Sequence, residues 1–141
     1  MLATRDPDSI EEYLDESVDW LLAGPVELLS YCGHHLGRSA VVEVYRQMAR
    51  DLTTTSFVLE FMIAKAECAA ALIRLSLVHK ETGRAVNLRV AHFVRFSGPQ
   101  VVEAYTTMDS FGAVEQLLGH TLERRCGSSQ PGSRRASRRT Q

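Results

Sequence analysis

The chain has 141 residues, of which 45% are hydrophobic and 23% charged, and its formal net charge is −1. These values describe one globular domain of a size that buries roughly two thirds of the surface its unfolded form exposes. They exclude a transmembrane helix, since the richest apolar stretch, 64–78, is interrupted by Lys65, Glu67 and Arg74.

The N-terminal segment is acidic where a secretory signal would be basic and then apolar, so a cytoplasmic protein is expected. Residues 9–22 read as a short acidic helix capped by Asp8 or Ser9, with Ile10, Tyr13, Leu14 and Val18 at helical spacing and Gly24-Pro25 as its stop. Residues 18–22 alone also fit a strand, because Val, Trp and Leu suit a pleated surface. Ser39 is placed to cap a helix in which Val41, Val44, Tyr45, Met48 and Leu52 share one face. After Asp51 the period changes to two: Leu59, Phe61 and Ile63 alternate with Glu60 and Met62, as in a half-buried strand. Two further apolar runs, joined by the turn residues 80–84 with Gly83 among them, predict a β-hairpin. A turn at Ser97-Gly98-Pro99 leads to a last strand and then to a short helix closed by Gly119. Helices first and then a meander of about four strands predict an α+β fold, an antiparallel sheet with helices on one face.

The near-zero charge is the sum of two unlike parts. Residues 1–119 hold 10 basic and 16 acidic side chains, a charge of −6, whereas 120–141 hold six Arg and one Glu, a charge of +5. The second part is rich in Gly, Ser and Arg and is expected to be a disordered basic tail after a folded domain over 1–119. Its arginines could meet phosphates, but no aromatic residue interleaves with them, so nucleic acid is not expected as a partner. Cys32, Cys68 and Cys126 are widely spaced and form no C-x-x-C pair, so no disulfide framework, metal or other cofactor is expected.

Three features, in this order, carry a family resemblance. They are a Val18-Asp19-Trp20 strand followed by a Gly37-Arg38-Ser39-Ala40-Val41 helix start, a Thr82-Gly83-Arg84 hairpin feeding a strand that ends Phe93-Val94-Arg95-Phe96, and a last strand ending in Asp109 before a short helix. Over residues 10–119 the chain resembles the SnoaL-like polyketide cyclase branch of the nuclear transport factor 2-like superfamily. The resemblance implies a cone-shaped fold, in which a curved antiparallel sheet packed on N-terminal helices encloses an apolar pocket, and a homodimer paired through sheet faces. Relatives include ketosteroid isomerase, scytalone dehydratase, limonene epoxide hydrolase, polyketide cyclases and non-catalytic binding proteins, so the fold leaves the reaction open. Family members begin with a long helix; here 17 residues precede Val18, and that wall of the cone is expected to be short.

Strand alternation places Leu88, Val90, His92, Val94 and Phe96 on one face and Arg89, Ala91, Phe93 and Arg95 on the other. The first set is apolar except for His92, so Val90 and His92 are expected to face the pocket. Histidine there is suited to proton transfer near neutral pH, or is a hydrogen-bonded core residue. Aligned on Arg95-Phe96, His92 falls where the resemblance puts the neutral oxyanion-stabilising acid of ketosteroid isomerase. On the last strand Val101, Glu103, Tyr105, Thr107 and Asp109 alternate onto one face. Asp109 resembles the general base of the polyketide cyclases and one of the acids of limonene epoxide hydrolase; a desolvated carboxylate at the pocket mouth could abstract a proton alpha to a carbonyl. It is equally placed to cap the helix that follows. Trp20, Tyr31, Phe61 and Tyr105 are candidate pocket walls.

The departures narrow the chemistry. Arg89 is followed by Val90 and Ala91 where the epoxide hydrolase has Arg-x-Asp, and Cys32-Gly33-His34-His35 holds no acid where the isomerase keeps its base. Arg74, the one charge inside an apolar strand, is expected on an exposed face or beside an acid. The expectation is a protein that takes an apolar small molecule into a cone-shaped pocket. It would be either a cofactor-independent cyclase, isomerase or dehydratase, with Asp109 as base and His92 as acid or oxyanion donor, or a non-catalytic ligand-binding or dimeric accessory protein.

Overall fold

In a computed structural model, residues 6–119 are described; the basic segment 120–141, with Cys126, lies outside them. The Asp6 carboxylate accepts from the Asp8 backbone N–H at 3.0 Å and starts a 3-10 helix over Pro7–Tyr13. The expected helix over 9–22 ends there. Leu14–Leu22 is strand β1, with Leu14, Val18, Trp20 and Leu22 buried. The alternation at Val18, Trp20 and Leu22 outweighs the helical spacing upstream, because these side chains reach the core together only from one face of a sheet.

Strand β2 (Gly33–Leu36) pairs antiparallel with β1, so His34 and His35 sit on a short edge strand. Helix α1 (Arg38–Asp51) buries Val41, Val42 and Val44. It is entered through Gly37 and not capped by Ser39: Gly37 has a φ of +88°, a conformation that favours glycine, and no side chain caps the helix.

The meander then follows as strands β3 (Leu52–Lys65), β4 (Cys68–His79), β5 (Ala85–Ser97) and β6 (Gln100–Met108), each antiparallel to the one before. The hairpin across 80–84 turns through Gly83 as the sequence predicts, with a φ of +69°. The order in the sheet is β2-β1-β6-β5-β4-β3, and β1 runs parallel to β6. The sheet therefore has six strands and is mixed: the expected meander of about four antiparallel strands is joined by β1, the strand that residues 18–22 also fit, which closes beside the end of the meander, and by the short β2.

Register shifts interrupt β1, β3 and the β5–β6 pairing, and bulges of this kind bend a sheet. The curved inner face is covered by α1 and by α2 (Ser110–Leu118), which is closed by Gly119 in the left-handed conformation. Ile10, Leu14, Val18, Val41 and Val101 are the most deeply buried large side chains. No helix among the described residues is long and apolar enough to cross a membrane.

Candidate functional site

The inner sheet face, α1, α2 and the loop 23–32 surround a cavity of about 100 Å³. Leu29 comes from the loop, Met48 from α1, Val90 from β5 and Met108 from β6, and most of the wall is of this apolar kind. One polar knot interrupts it. The β5–β6 register sets His92 opposite Thr106, and His92 Nδ1 lies 2.6 Å from Thr106 Oγ1. The Trp20 Nε1–H donates to the same oxygen at 2.9 Å. Trp20 is held in turn by the Tyr45 ring, stacked on it at 5.3 Å and 20°, and by His35 at 5.5 Å.

Burial pushes the His92 pKa from 6.5 down to about 4, because the imidazolium would lose its hydration. His92 Nε2 is buried and has no hydrogen-bond partner among the described residues. A buried polar atom left unpaired costs about 1–3 kcal/mol, so this atom is where a bound molecule can contribute most. Elsewhere on the wall, the Tyr31 hydroxyl donates to Asp51 Oδ2 at 2.6 Å. Burial, reinforced by Asp51, raises the Tyr31 pKa, and burial alone raises those of Cys32 and Tyr45. The titratable side chains of the wall are thus all neutral near pH 7.

Of the residues singled out from the sequence, Trp20, Tyr31, Val90 and His92 line this cavity, whereas Asp109, Phe61 and Tyr105 do not. Asp109 is exposed, and its carboxylate accepts from the Gly112 backbone N–H at 2.9 Å as the cap of α2. His92 and Asp109 therefore do not share one cavity. Tyr105 is turned away by the register shift in which Arg95 pairs with Glu103 but Phe96 pairs with Val101. Val102 is left over, the alternation flips, and Ala104 and Thr106 join Val101 inside while Tyr105 packs on Phe93 outside. Phe61 follows a similar shift in β3, on the edge of the sheet, and is 59% exposed.

The sequence reading missed Thr106 as a site residue and took Tyr45 for ordinary helix packing. Only the cross-strand partner of His92 would have pointed to Thr106, and that depends on locating the bulge. Other expected polar residues are used locally: His34 pairs with Asp19, and His35 Nε2 lies 2.8 Å from the Tyr31 carbonyl oxygen. Arg74 is exposed and bonded to Glu60, which also binds Arg89.

The profile of the SnoaL-like domain matches residues 1–104. No curated protein matches the chain in sequence. Among solved structures, a protein of Rhodopseudomonas palustris provisionally named an isomerase is 29% identical, with a TM-score of 0.78 over 82% of this chain and 86% of that one. A Catenulispora acidiphila protein with a ketosteroid isomerase-like fold, solved with trimethylamine, has a TM-score of 0.66 at 7% identity over 78% and 80% of the two chains. A Mesorhizobium loti protein provisionally named a SnoaL-like polyketide cyclase has a TM-score of 0.60 at 13% identity over 72% and 84%. These last two are likenesses of fold alone.

Proposed function

The chain belongs to the SnoaL-like domain family, and from that premise we propose that it binds a compact, mostly apolar small molecule, one polar atom of which meets His92 Nε2. The observation that carries this is the unpartnered Nε2 in a cavity whose other walls are mostly apolar. A dry apolar cavity of about 150 Å³ admits benzene. This one is smaller, at about 100 Å³, but partly open, so a single small ring or a short branched chain can enter with part of it at the mouth, and a steroid or a fused polyketide is not enclosed.

The test compares cyclohexanone with methylenecyclohexane, which has the same shape and no oxygen. Cyclohexanone should raise the melting temperature more, and the advantage should vanish in His92→Phe. Trp20, the one tryptophan of the chain and part of the cavity wall, gives a second readout through its fluorescence. Equal shifts from the two probes, or none from either, would sink the reading.

Catalysis is favoured by one observation, the 29% identity to a protein provisionally named an isomerase. The described cavity wall offers no carboxylate, so His92 would polarise the carbonyl, the role expected of it from the sequence, and a water or buffer base entering the cavity would take the alpha proton that the sequence reading gave to Asp109. Exchange of the alpha protons of cyclohexanone in D₂O, followed by NMR, should exceed the buffer rate and fall in His92→Phe if the site is catalytic. If it does not, the binding role stands alone.

We infer in addition that a second copy covers the outer face. Val58, Phe61 and Ile63 on edge strand β3, in register with the outward Arg74, Leu72 and Ala70, are 43–59% exposed, and apolar edges of this kind are normally paired or shielded.

A further inference from the structure

We propose that the Trp20–Thr106–His92 hydrogen-bond chain fixes the proton of His92 on Nε2, and that it thereby selects a ligand with an acceptor oxygen, a ketone, aldehyde or ester carbonyl, over an alcohol of the same shape. The selectivity rests on the ligand-binding reading above; the tautomer does not.

Donor and acceptor accounting leads to this assignment. The indole N–H of Trp20 can only donate, and it does so to Thr106 Oγ1 at 2.9 Å. The threonine hydroxyl has a single proton, and His92 Nδ1 is 2.6 Å away. If Thr106 donates to Nδ1, all three atoms are satisfied. If Nδ1–H instead donated to Thr106, the hydroxyl proton would be left without an acceptor among the described residues, on a side chain 5% exposed. That costs the desolvation penalty of an unpaired donor. Nδ1 is therefore the acceptor and Nε2 carries the ring proton. The stacking of Tyr45 on Trp20 holds the indole in the plane that starts the chain.

The consequence is a fixed polarity. A carbonyl oxygen accepts from Nε2–H and brings no donor of its own. An alcohol can accept as well, but its own proton then needs a second acceptor; beyond the Tyr31 and Tyr45 hydroxyls and the Cys32 thiol the wall is apolar, and a proton left facing it carries a penalty that discriminates by exclusion. Thr106 and Trp20 act here as positioning residues, through His92.

The experiment uses the full chain labelled with ¹⁵N-histidine at pH 7, with His92 assigned by the loss of its signals in His92→Phe. The wild-type ring should show a protonated Nε2 and an unprotonated Nδ1. A proton on Nδ1, or averaging between the two nitrogens, overturns the assignment whatever the protein binds. Thr106→Val should release the ring into averaging, and Thr106→Ser should restore the single tautomer; a ring that keeps its tautomer in Thr106→Val would remove Thr106 from the mechanism. Should Thr106→Val not fold, the wild-type spectrum and Thr106→Ala, which also lacks the hydroxyl and should begin to average, decide the matter. On the ligand side, cyclohexanone should bind about tenfold tighter than cyclohexanol, and equal affinity overturns the selectivity. Equal binding of cyclohexanone and methylenecyclohexane with the tautomer as stated would instead defeat the ligand-binding reading, leaving the hydrogen-bond chain in place.

Discussion

On the inner face of β5, Val90 and His92 look into a cavity with no charged side chain; on the outer face of the same strand, Arg89, Phe93 and Arg95 meet solvent, ion partners and exposed rings. The two faces satisfy their polar groups in opposite ways. Inside, burial removes the charge, and Trp20 Nε1 and His92 Nδ1 are paired through Thr106 while His92 Nε2 has no partner among the described residues. Outside, charges are kept and matched: Glu60 lies between Arg74 and Arg89, which are directly opposite one another, and Arg95 reaches Glu103 at 3.2 Å. Hydrogen bonds from Arg89 and then Arg74 hold the Glu60 carboxyl below the usual carboxylate range. Exposed pairs of this kind add little to stability, so the inner face should dominate folding and the outer face association.

The largest effect that separates the faces is a pH dependence. His92 in the unfolded chain has a pKa near 6.5, whereas in the folded protein it is about 4. Between these values the unfolded state takes up a proton that the folded state refuses. Stability present above pH 6.5 is therefore lost as the pH falls and levels off near pH 4, by on the order of 3 kcal/mol. Carboxylates titrate over part of the same window, so the quantity to measure is the stability difference between wild type and His92→Gln. It should shrink as the pH is lowered from 7 to 4; a constant difference would mean that the inner face does not hold His92 neutral.

Next in size is a perturbation of the outer face. Phe61→Asp places a charge in the middle of the exposed apolar run of β3. If that run meets a second copy, association should weaken by about 2 kcal/mol or more, seen as a shift toward monomer in sedimentation. The folding stability of the isolated chain should move by no more than about 0.5 kcal/mol, as for an ordinary surface change. Loss of folding stability with no change in assembly would reverse the assignment of the two faces.

Much of the frame is legible in the residues. The β4–β5 hairpin, the meander, the helix carrying Val41 and Val44, and the inward set of Val90 and His92 all follow from a period of two or 3.6 that nothing interrupts. The readings that differ fall where the period breaks. Leu14 and Val18 are four residues apart, a spacing that shares one face of a helix and of a strand alike and so does not decide between them, and both are buried in β1. One extra residue at Val102 exchanges Tyr105 for Thr106 as the inward side chain. A bulge adds one residue without a strong compositional mark, and whether it forms depends on curvature set by the rest of the sheet. For this reason the site was half visible: His92 lies before the bulge and Thr106 after it.

Asp109 tests the same division with the smallest expected effect. The sequence allows it two roles, base or helix cap, and in the structure its carboxylate is bonded to the Gly112 N–H at the start of α2. A β-carbon at Gly112 would stand 2.5 Å from that carboxylate, so glycine there lets the acid settle over the helix end. A cap of this type contributes about 1 kcal/mol. Asp109→Ala should therefore lower the melting temperature by a few degrees, Asp109→Asn should recover most of the loss because the amide oxygen caps as well, and neither should change cyclohexanone affinity by more than about twofold, since the cavity wall is untouched. A base behaves otherwise: alpha-proton exchange would collapse in both variants, the asparagine included, with stability kept in Asp109→Asn. That pattern would bring the exposed helix end into the chemistry of the inner face and dissolve the separation between them.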